Sequence, residues 1–350
     1  MGENVFTGIA SSLRAAIDAA GAPMILNDIT LVIVKVVAIL VFLLLNGLWL
    51  IYMERRVSAF IQSRLGPNRV GPQGLLQPFA DMLKMLGKEI FLPRGVDLVV
   101  YLLMPVLIFV PPLLIYAVLP FGKDMVAIDM NVGVFYMLAV ASLSTIILWA
   151  AGWSSNNKYS LIGGMRAIAQ MVSYELPLAL SLLGVIMITG TLNMSEIVDS
   201  QKHIWFIFTQ PIAFIIYLIA GIAETNRTPF CLVEGESEII AGPFTEYSGM
   251  AFGLFPLAEF MSMMVISAMC TVMFLGGWLA PFGLDFVPSW IWFFLKMYVM
   301  IFIFMWVRWT YPRIRVDQLM GFGWKVLVPL TLANIFVTGV GMYIYRAIGW

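Results

Sequence analysis

Glutamate is the residue type on which chemistry in this chain would turn. Five crowd into ETNRTPFCLVEGESEIIAGPFTEYSG (224–249): Glu224, Glu234, Glu236, Glu238 and Glu246, with Arg227 the only cation nearby in sequence. Like charges at close range resist ionisation, and so does burial. Carboxyl groups brought towards neutral pH suit proton transfer; a solvated acidic loop is the alternative. Glu234, Glu236 and Glu238 occupy alternate positions. An extended stretch would put them on one face, and a helix would spread them over about 200°. A second set of charges sits in apolar sequence: Lys35, Glu175 (in MVSYELPLAL), Glu259 and Lys296. A charge at membrane depth is costly and marks a functional candidate. For Glu175, Glu259 and Lys296 the competing explanation is a structural interhelical pair, and for Lys35 it is snorkelling to the interface. A third group is the triplet Glu54–Arg55–Arg56. It is either a simple topology anchor or a binder of a polar headgroup through charge-assisted hydrogen bonds.

Other chemistries find little support. Cys231 and Cys270 are the only cysteines and His203 the only histidine. An iron–sulfur cluster wants about four cysteines, and haem wants His, Met or Cys axial ligands. The 24 methionines read as packing in so apolar a chain, as do the two cysteines, and His203 reads as interfacial. Neither a dinucleotide fingerprint nor a phosphate-cradling GxxxxGK[ST] loop occurs. No metal site and no redox cofactor are expected in this chain.

The elements that must position the glutamates are membrane helices. Of 350 residues, 61% are hydrophobic and 11% charged, with mean hydropathy +0.94, far from the soluble norm. Lys+Arg 20 balances Asp+Glu 20, which gives no reason to expect a nucleic-acid partner. Spans of about 20 apolar residues are expected at 29–52, 98–120, 132–152, 172–191, 203–223, 251–275, 289–309 and 326–346. The fold class is therefore an all-α integral membrane protein of about eight transmembrane helices. The first connection carries Arg55, Arg56, Arg64, Arg69, Lys84, Lys88 and Arg94, and alternate ones on the same side add Lys158, Arg166, Arg227, Arg308, Arg313, Arg315 and Lys325. The opposite side holds only Arg14, Lys123, Lys202 and Arg346. Basic excess marks the cytoplasmic side, so both termini are expected outside.

Residues 1–27 lack the marks of a signal peptide. Their SSLRAAIDAAGAP suggests an outer-side interfacial helix with a proline stop. The remainder, 28–350, reads as a single membrane domain with two unusual cytoplasmic loops, 53–97 and 224–249. In the first, GPNRVGPQG is a turn run. Leu75, Leu76, Phe79, Leu83, Leu86 and Ile90 then recur at helical spacing, the mark of an amphipathic helix on the membrane or a partner. The absence of a targeting segment suits a bacterial plasma (inner) membrane.

The run MERRVSAFIQSRLGPNRVGPQGLLQPFADMLKMLGKE (53–89) resembles the first cytoplasmic loop of the H subunits of respiratory complex I. That complex is the proton-pumping NADH:quinone oxidoreductase, and the mitochondrial member of the family is NADH dehydrogenase subunit 1. AETNRTPFCLVEGESEIIAGPFTEYSG is similar to that family's acidic loop, and SYELP and YPRIRVDQLMGFGWKVLVPLTL also fit. The resemblance extends over roughly 28–346. It implies a membrane-arm subunit that docks a hydrophilic arm and forms most of the quinone chamber. Flavin (FMN) and iron–sulfur clusters would sit on hydrophilic-arm partners, with antiporter-like subunits alongside, quinone as substrate and lipid around. By motif, Glu54, Arg55 and Arg56 would line the quinone cavity. Arg227, Glu234, Glu236, Glu238 and Glu246 would form the coupling loop, and Glu175, Glu224 and Glu259 would continue the proton path. The family commonly reads PFDL where this chain has Cys231 between Phe230 and Leu232, and a thiol does not replace a carboxylate's charge at neutral pH. Pro243 in GPFTEY is a second departure. The related subunit of a membrane-bound hydrogenase or deazaflavin-dependent dehydrogenase shares features like the Glu54–Arg55–Arg56 triplet and the acidic loop. A stand-alone ion carrier is the alternative from another class.

Overall fold

The computed structural model describes residues 24–123, 125–233, 235–281 and 286–347. The expected interfacial helix before residue 24 lies outside the described residues. Every labelled element is a helix: α1 (Met24–Ile61), α2 (Gln77–Leu86), α3 (Leu98–Leu107), α4 (Val110–Tyr116), α5 (Gly133–Ala141), α6 (Leu143–Ser154), α7 (Lys158–Thr189), α8 (Met194–Ser200), α9 (Pro211–Glu224), α10 (Gly249–Phe274), α11 (Ser289–Thr310), α12 (Val316–Phe322) and α13 (Val328–Ala347).

Seven helical stretches among the described residues are long and apolar enough to cross a membrane. Three are interrupted: the span of α5 and α6 at Ser142, and two more where the sequence supplies prolines or a slack turn. The α3–α4 span bends ahead of Pro111 and Pro112, which lack the N–H that would continue the hydrogen-bond ladder. The last span passes from α12 to α13 through a π-helical segment, Gly323–Leu327. The fifth expected span is the exception in length. Its helix α9 has 14 residues, short for a bilayer, because Gln210 leaves helical geometry ahead of Pro211. A single turn, Phe206–Thr209, precedes it. Gly184 of α7 faces Gln210, while Gln170 of α7 donates to the Ala223 carbonyl at 2.7 Å. So α9 runs antiparallel beside α7.

Helix α7 corrects a boundary. The fourth span was expected at 172–191, yet the helix begins at Lys158, where the Asn157 side chain accepts the Tyr159 N–H as an N-cap. Hydropathy finds the lipid-facing stretch, whereas the helix also covers the polar and small residues that pack against protein. Glu175 consequently lies midway along α7, not one turn from its start.

The helices surround α10. In an apolar 18-residue stretch of α10, 83% of the residues are buried, against 17–50% in those of the other six long stretches. Small residues permit the closest approaches, as is common between membrane helices. A Cβ on Gly221 of α9 would meet Ile266 of α10 at 2.6 Å. Outward faces are apolar and exposed, including Val36, Leu40, Leu45, Phe135, Ile146, Phe302 and Phe336, as lipid contact requires. The apolar residues of α2 and its flanks (Leu75, Leu76, Phe79, Leu83, Leu86, Ile90) are all exposed too, which fits the expected surface helix.

Candidate functional site

At the end of the bundle carrying Arg227 and Arg308, α1 turns Glu54 inward. Its Oε2 accepts the Arg227 Nη1–H at 2.8 Å, and its Oε1 accepts from Arg308 Nη1. Glu54 is 6% exposed and Arg227 2%. Arg227 is placed by the end of α9, where Asn226 takes φ 51°, a left-handed conformation that asparagine tolerates. Its guanidinium lies 4.5 Å from the Phe260 ring centre, and its Nε and Nη2 have no hydrogen-bond partner among the described residues. One buried carboxylate thus holds two guanidinium groups.

The two arginines after Glu54 point elsewhere, since successive helical residues face about 100° apart. Arg55 meets Asp81 of α2 at 2.5 Å. Arg56 donates to the Tyr52 hydroxyl at 3.1 Å and to the Gln73 carbonyl at 3.0 Å. Both pin the first loop to α1, and neither shares the Glu54 ion cluster.

Glu175 of α7, Glu224 at the end of α9 and Glu259 of α10 line one cavity of about 80 Å³, room for several water molecules. Pro111, Pro112, Met171, Tyr217, Thr225, Asn226 and Phe255 help to close it. The lining has no lysine or arginine among the described residues. Glu224 Oε2 is buried without a hydrogen-bond partner among the described residues, an acceptor that needs a proton or a donor. Three carboxyl groups with water-sized space between them can exchange protons. The triad adjoins this cavity through consecutive residues, because Arg227 covers Phe260 and Glu259 lines the cavity.

The acidic loop is more compensated than its sequence suggests. Glu238 pairs with Arg166 of α7. The Arg166 hydrogen bond and charge, aided by Arg313 and Arg315, hold the Glu238 carboxyl below its ordinary value. Mutual repulsion was expected to push loop carboxyls up, and at Glu238 the shift has the opposite sign. Glu246 accepts from Asn157 Nδ2 at 2.5 Å, and its backbone carbonyl accepts the Tyr101 hydroxyl at 2.7 Å. Tyr101 and Tyr247 stack with ring centres 4.2 Å apart. Gly242, at φ 54°, packs against the Val233 carbonyl, and Gly163 of α7 leaves only 2.6 Å from a hypothetical Cβ to Gly242. The loop is therefore seated on α7. Glu234 and the Glu236 side chain lie outside the described residues, as does the Lys35 side chain.

Lys296 serves structure. It lies in the first half of α11, within a turn of its middle, and its ammonium donates to the carbonyls of Leu275, Gly277 and Leu279 at 2.7, 3.1 and 2.7 Å. It sits 4.3 Å from the Trp205 ring centre. A cation on the carbonyls that follow the last turn of α10 satisfies the helix end and its dipole. His203 is exposed, Cys231 half-buried and Cys270 buried.

Sequence reasoning missed Arg308 as the second arm on Glu54, having assigned it to topology. Its position at the basic end of a span, level with the end of α1, was the available signal. It also missed Gln170, fully buried and bonded to Ala223 and Asn226 beside Glu224.

A family model described as NADH dehydrogenase matches residues 34–339. The H subunit of the NADH-quinone oxidoreductase of Carboxydothermus hydrogenoformans is 55% identical over 350 residues, 100% of both chains. That of Bacillus cytotoxicus is 50% identical over 291 residues, 83% of this chain and 87% of its own. A Geobacillus species has one with the same identity and coverage. With these relatives and its all-helical membrane architecture, the chain belongs to the NADH dehydrogenase family, among the H subunits of respiratory complex I.

Proposed function

We propose that this subunit forms the quinone chamber of a proton-translocating NADH:quinone oxidoreductase and begins its proton path in the membrane. The observation that carries this reading is the cavity where Glu175, Glu224 and Glu259, drawn from three helices, meet next to the Glu54–Arg227–Arg308 triad. Quinone reduction consumes protons and changes charge at the chamber. A buried ion cluster responds to such a change because its charges are poorly screened. Arg227, fixed in sequence to Glu224 and in space to Phe260, passes the shift to the carboxylate cavity, where protons redistribute. The redox chemistry belongs to hydrophilic-arm partners that carry FMN and iron–sulfur clusters. The acidic loop, with Glu238 and Glu246 anchored on α7 and α3, faces that junction; Glu234 and Glu236 are assigned to it by motif. Arg55 and Arg56 support the chamber by holding the first loop. The chain sits in a bacterial plasma membrane with both termini outside, and antiporter-like subunits receive the protons.

The test is Glu224→Gln in the intact complex, which keeps shape and hydrogen bonding but removes titration. Proton pumping and quinone turnover should fall together by about tenfold or more, with cluster signals and NADH–ferricyanide activity retained. Wild-type pumping in Glu224→Gln and in Glu224→Gln/Glu259→Gln would sink the relay. A complex that reduces quinone from hydrogen or a deazaflavin but not from NADH would shift the assignment to the related oxidoreductases.

A further inference from the structure

At the end of the bundle opposite the triad, a pocket of about 460 Å³ opens among the ends of several helices. Its wall includes Lys123 beyond α4, Asp199 and Lys202 at the end of α8, Trp278 beyond α10, and Ser289 and Trp292 at the start of α11. The sequence assigns only four basic residues to this side of the membrane, Arg14, Lys123, Lys202 and Arg346, and two of them converge here. A side depleted of cations has no topological reason to gather them. Lys202 pairs with Asp199 at 2.9 Å, while Lys123 has no carboxylate partner among the described residues. Among the described residues the pocket therefore presents two ammonium groups, one paired with a carboxylate and one without such a partner.

The rest of the wall is apolar and aromatic. Trp278, Leu279, Phe286 and Trp292 line it, and Phe286 is 82% exposed. Tryptophan at span ends marks the headgroup level of a bilayer, and an exposed phenylalanine beside ammonium groups suits an amphiphile better than a free ion. We propose that this pocket binds the phosphate of an anionic glycerophospholipid from the adjoining leaflet. Lys123 and Lys202 meet the phosphate, the indoles flank the glycerol, and Phe286 meets the upper acyl chain. Asp199 fixes Lys202 in place and limits the site to a single phosphate charge.

The experiment uses the intact complex in nanodiscs of phosphatidylglycerol that carry a diazirine high on one acyl chain. Photolabelling mapped by peptide mass spectrometry should reach residues 275–292. The Lys123→Gln/Lys202→Gln variant should lose about fivefold or more of that labelling, and Lys123→Arg/Lys202→Arg should retain it. Both side chains are exposed, so NADH:quinone activity should stay unchanged. Should the double variant fail to assemble, Lys123→Gln alone carries the same expectation of reduced labelling. Undiminished labelling in the Gln variant would overturn the proposal. So would equal labelling by a diazirine diacylglycerol lacking phosphate, or displacement by inorganic phosphate, which would make this a free-anion site.

Discussion

Glu54→Gln offers the sharpest test of the triad. The substitution keeps the shape of the side chain and removes its charge. Arg227, 2% exposed, then has no described counter-charge, and two of its nitrogens already lack partners. Leaving one member of a buried ion pair uncompensated costs about 3–5 kcal/mol. Arg308 adds little, because its side chain is 32% exposed and water screens what remains. At roughly 2–4 °C per kcal/mol for a chain of a few hundred residues, the expected fall in thermal midpoint is about 6–20 °C. The assay is heat inactivation of NADH:quinone activity in the solubilised complex, with NADH–ferricyanide activity as the control for the flavin arm. The Glu54→Gln/Arg227→Gln variant removes the stranded charge together with its partner. It should recover at least half of the lost midpoint, even if turnover stays low. A double variant no more stable than the single one, or a single variant indistinguishable from wild type, would refute this account of the triad.

Three further outcomes follow from the same contacts. Arg55→Ala breaks an exposed pair with Asp81 and should cost only about 0–1 kcal/mol, with quinone reductase activity reduced far less than by Glu54→Gln. Arg166→Gln should alter the acid response of the 224–249 loop. Glu238 is depressed by Arg166, so their link is complete above the unfolded-state carboxylate value and is lost as pH falls through the lower folded value. A spin label at Ile240 should report loop release below the ordinary glutamate range in the parent, and at higher pH in Arg166→Gln. Lys296→Met removes three carbonyl contacts and should lower the yield of assembled complex by destabilising the end of α10. The protons pumped per electron should stay normal in what assembles; a lowered ratio would place Lys296 on the proton path.

Much of the architecture was legible in the sequence because hydropathy and charge are local properties. The apolar runs gave the long helices, and the periodic leucines of 75–90 gave the exposed surface helix. The start of α7 at Lys158 was hidden because its first half packs on protein through glycines and polar groups, which hydropathy reads as a loop. The shortness of α9 turns on the local geometry at Gln210, which composition does not reveal. Glu175 and Glu259 were singled out as costly intramembrane charges and Glu224 as a member of the acidic loop, and the three line one cavity. Their convergence came from the family resemblance, since nothing local ties α7, α9 and α10 together. Pairings across long separations were illegible. Glu54 and Arg308 are 254 residues apart, and Arg166 and Glu238 are 72 apart. The sequence saw an acidic loop beside one arginine, whereas the fold brings Arg166, Arg313 and Arg315 to it.

The enclosure of α10 has a consequence for biogenesis. This helix packs against α1, α2, α3, α4, α8, α9 and the turn at Phe206–Thr209, all of which precede it in the chain, and against α11, which follows. Its surface meets protein almost everywhere, so it cannot be accommodated as an independent span and matured later. The earlier helices must already form a cleft when α10 leaves the insertion machinery, and α11 must then close over it. Between those two events the face of α10 that α11 covers stands open to the bilayer. That interval is the vulnerable step in making this subunit, and quality-control proteases would recognise a chain arrested there.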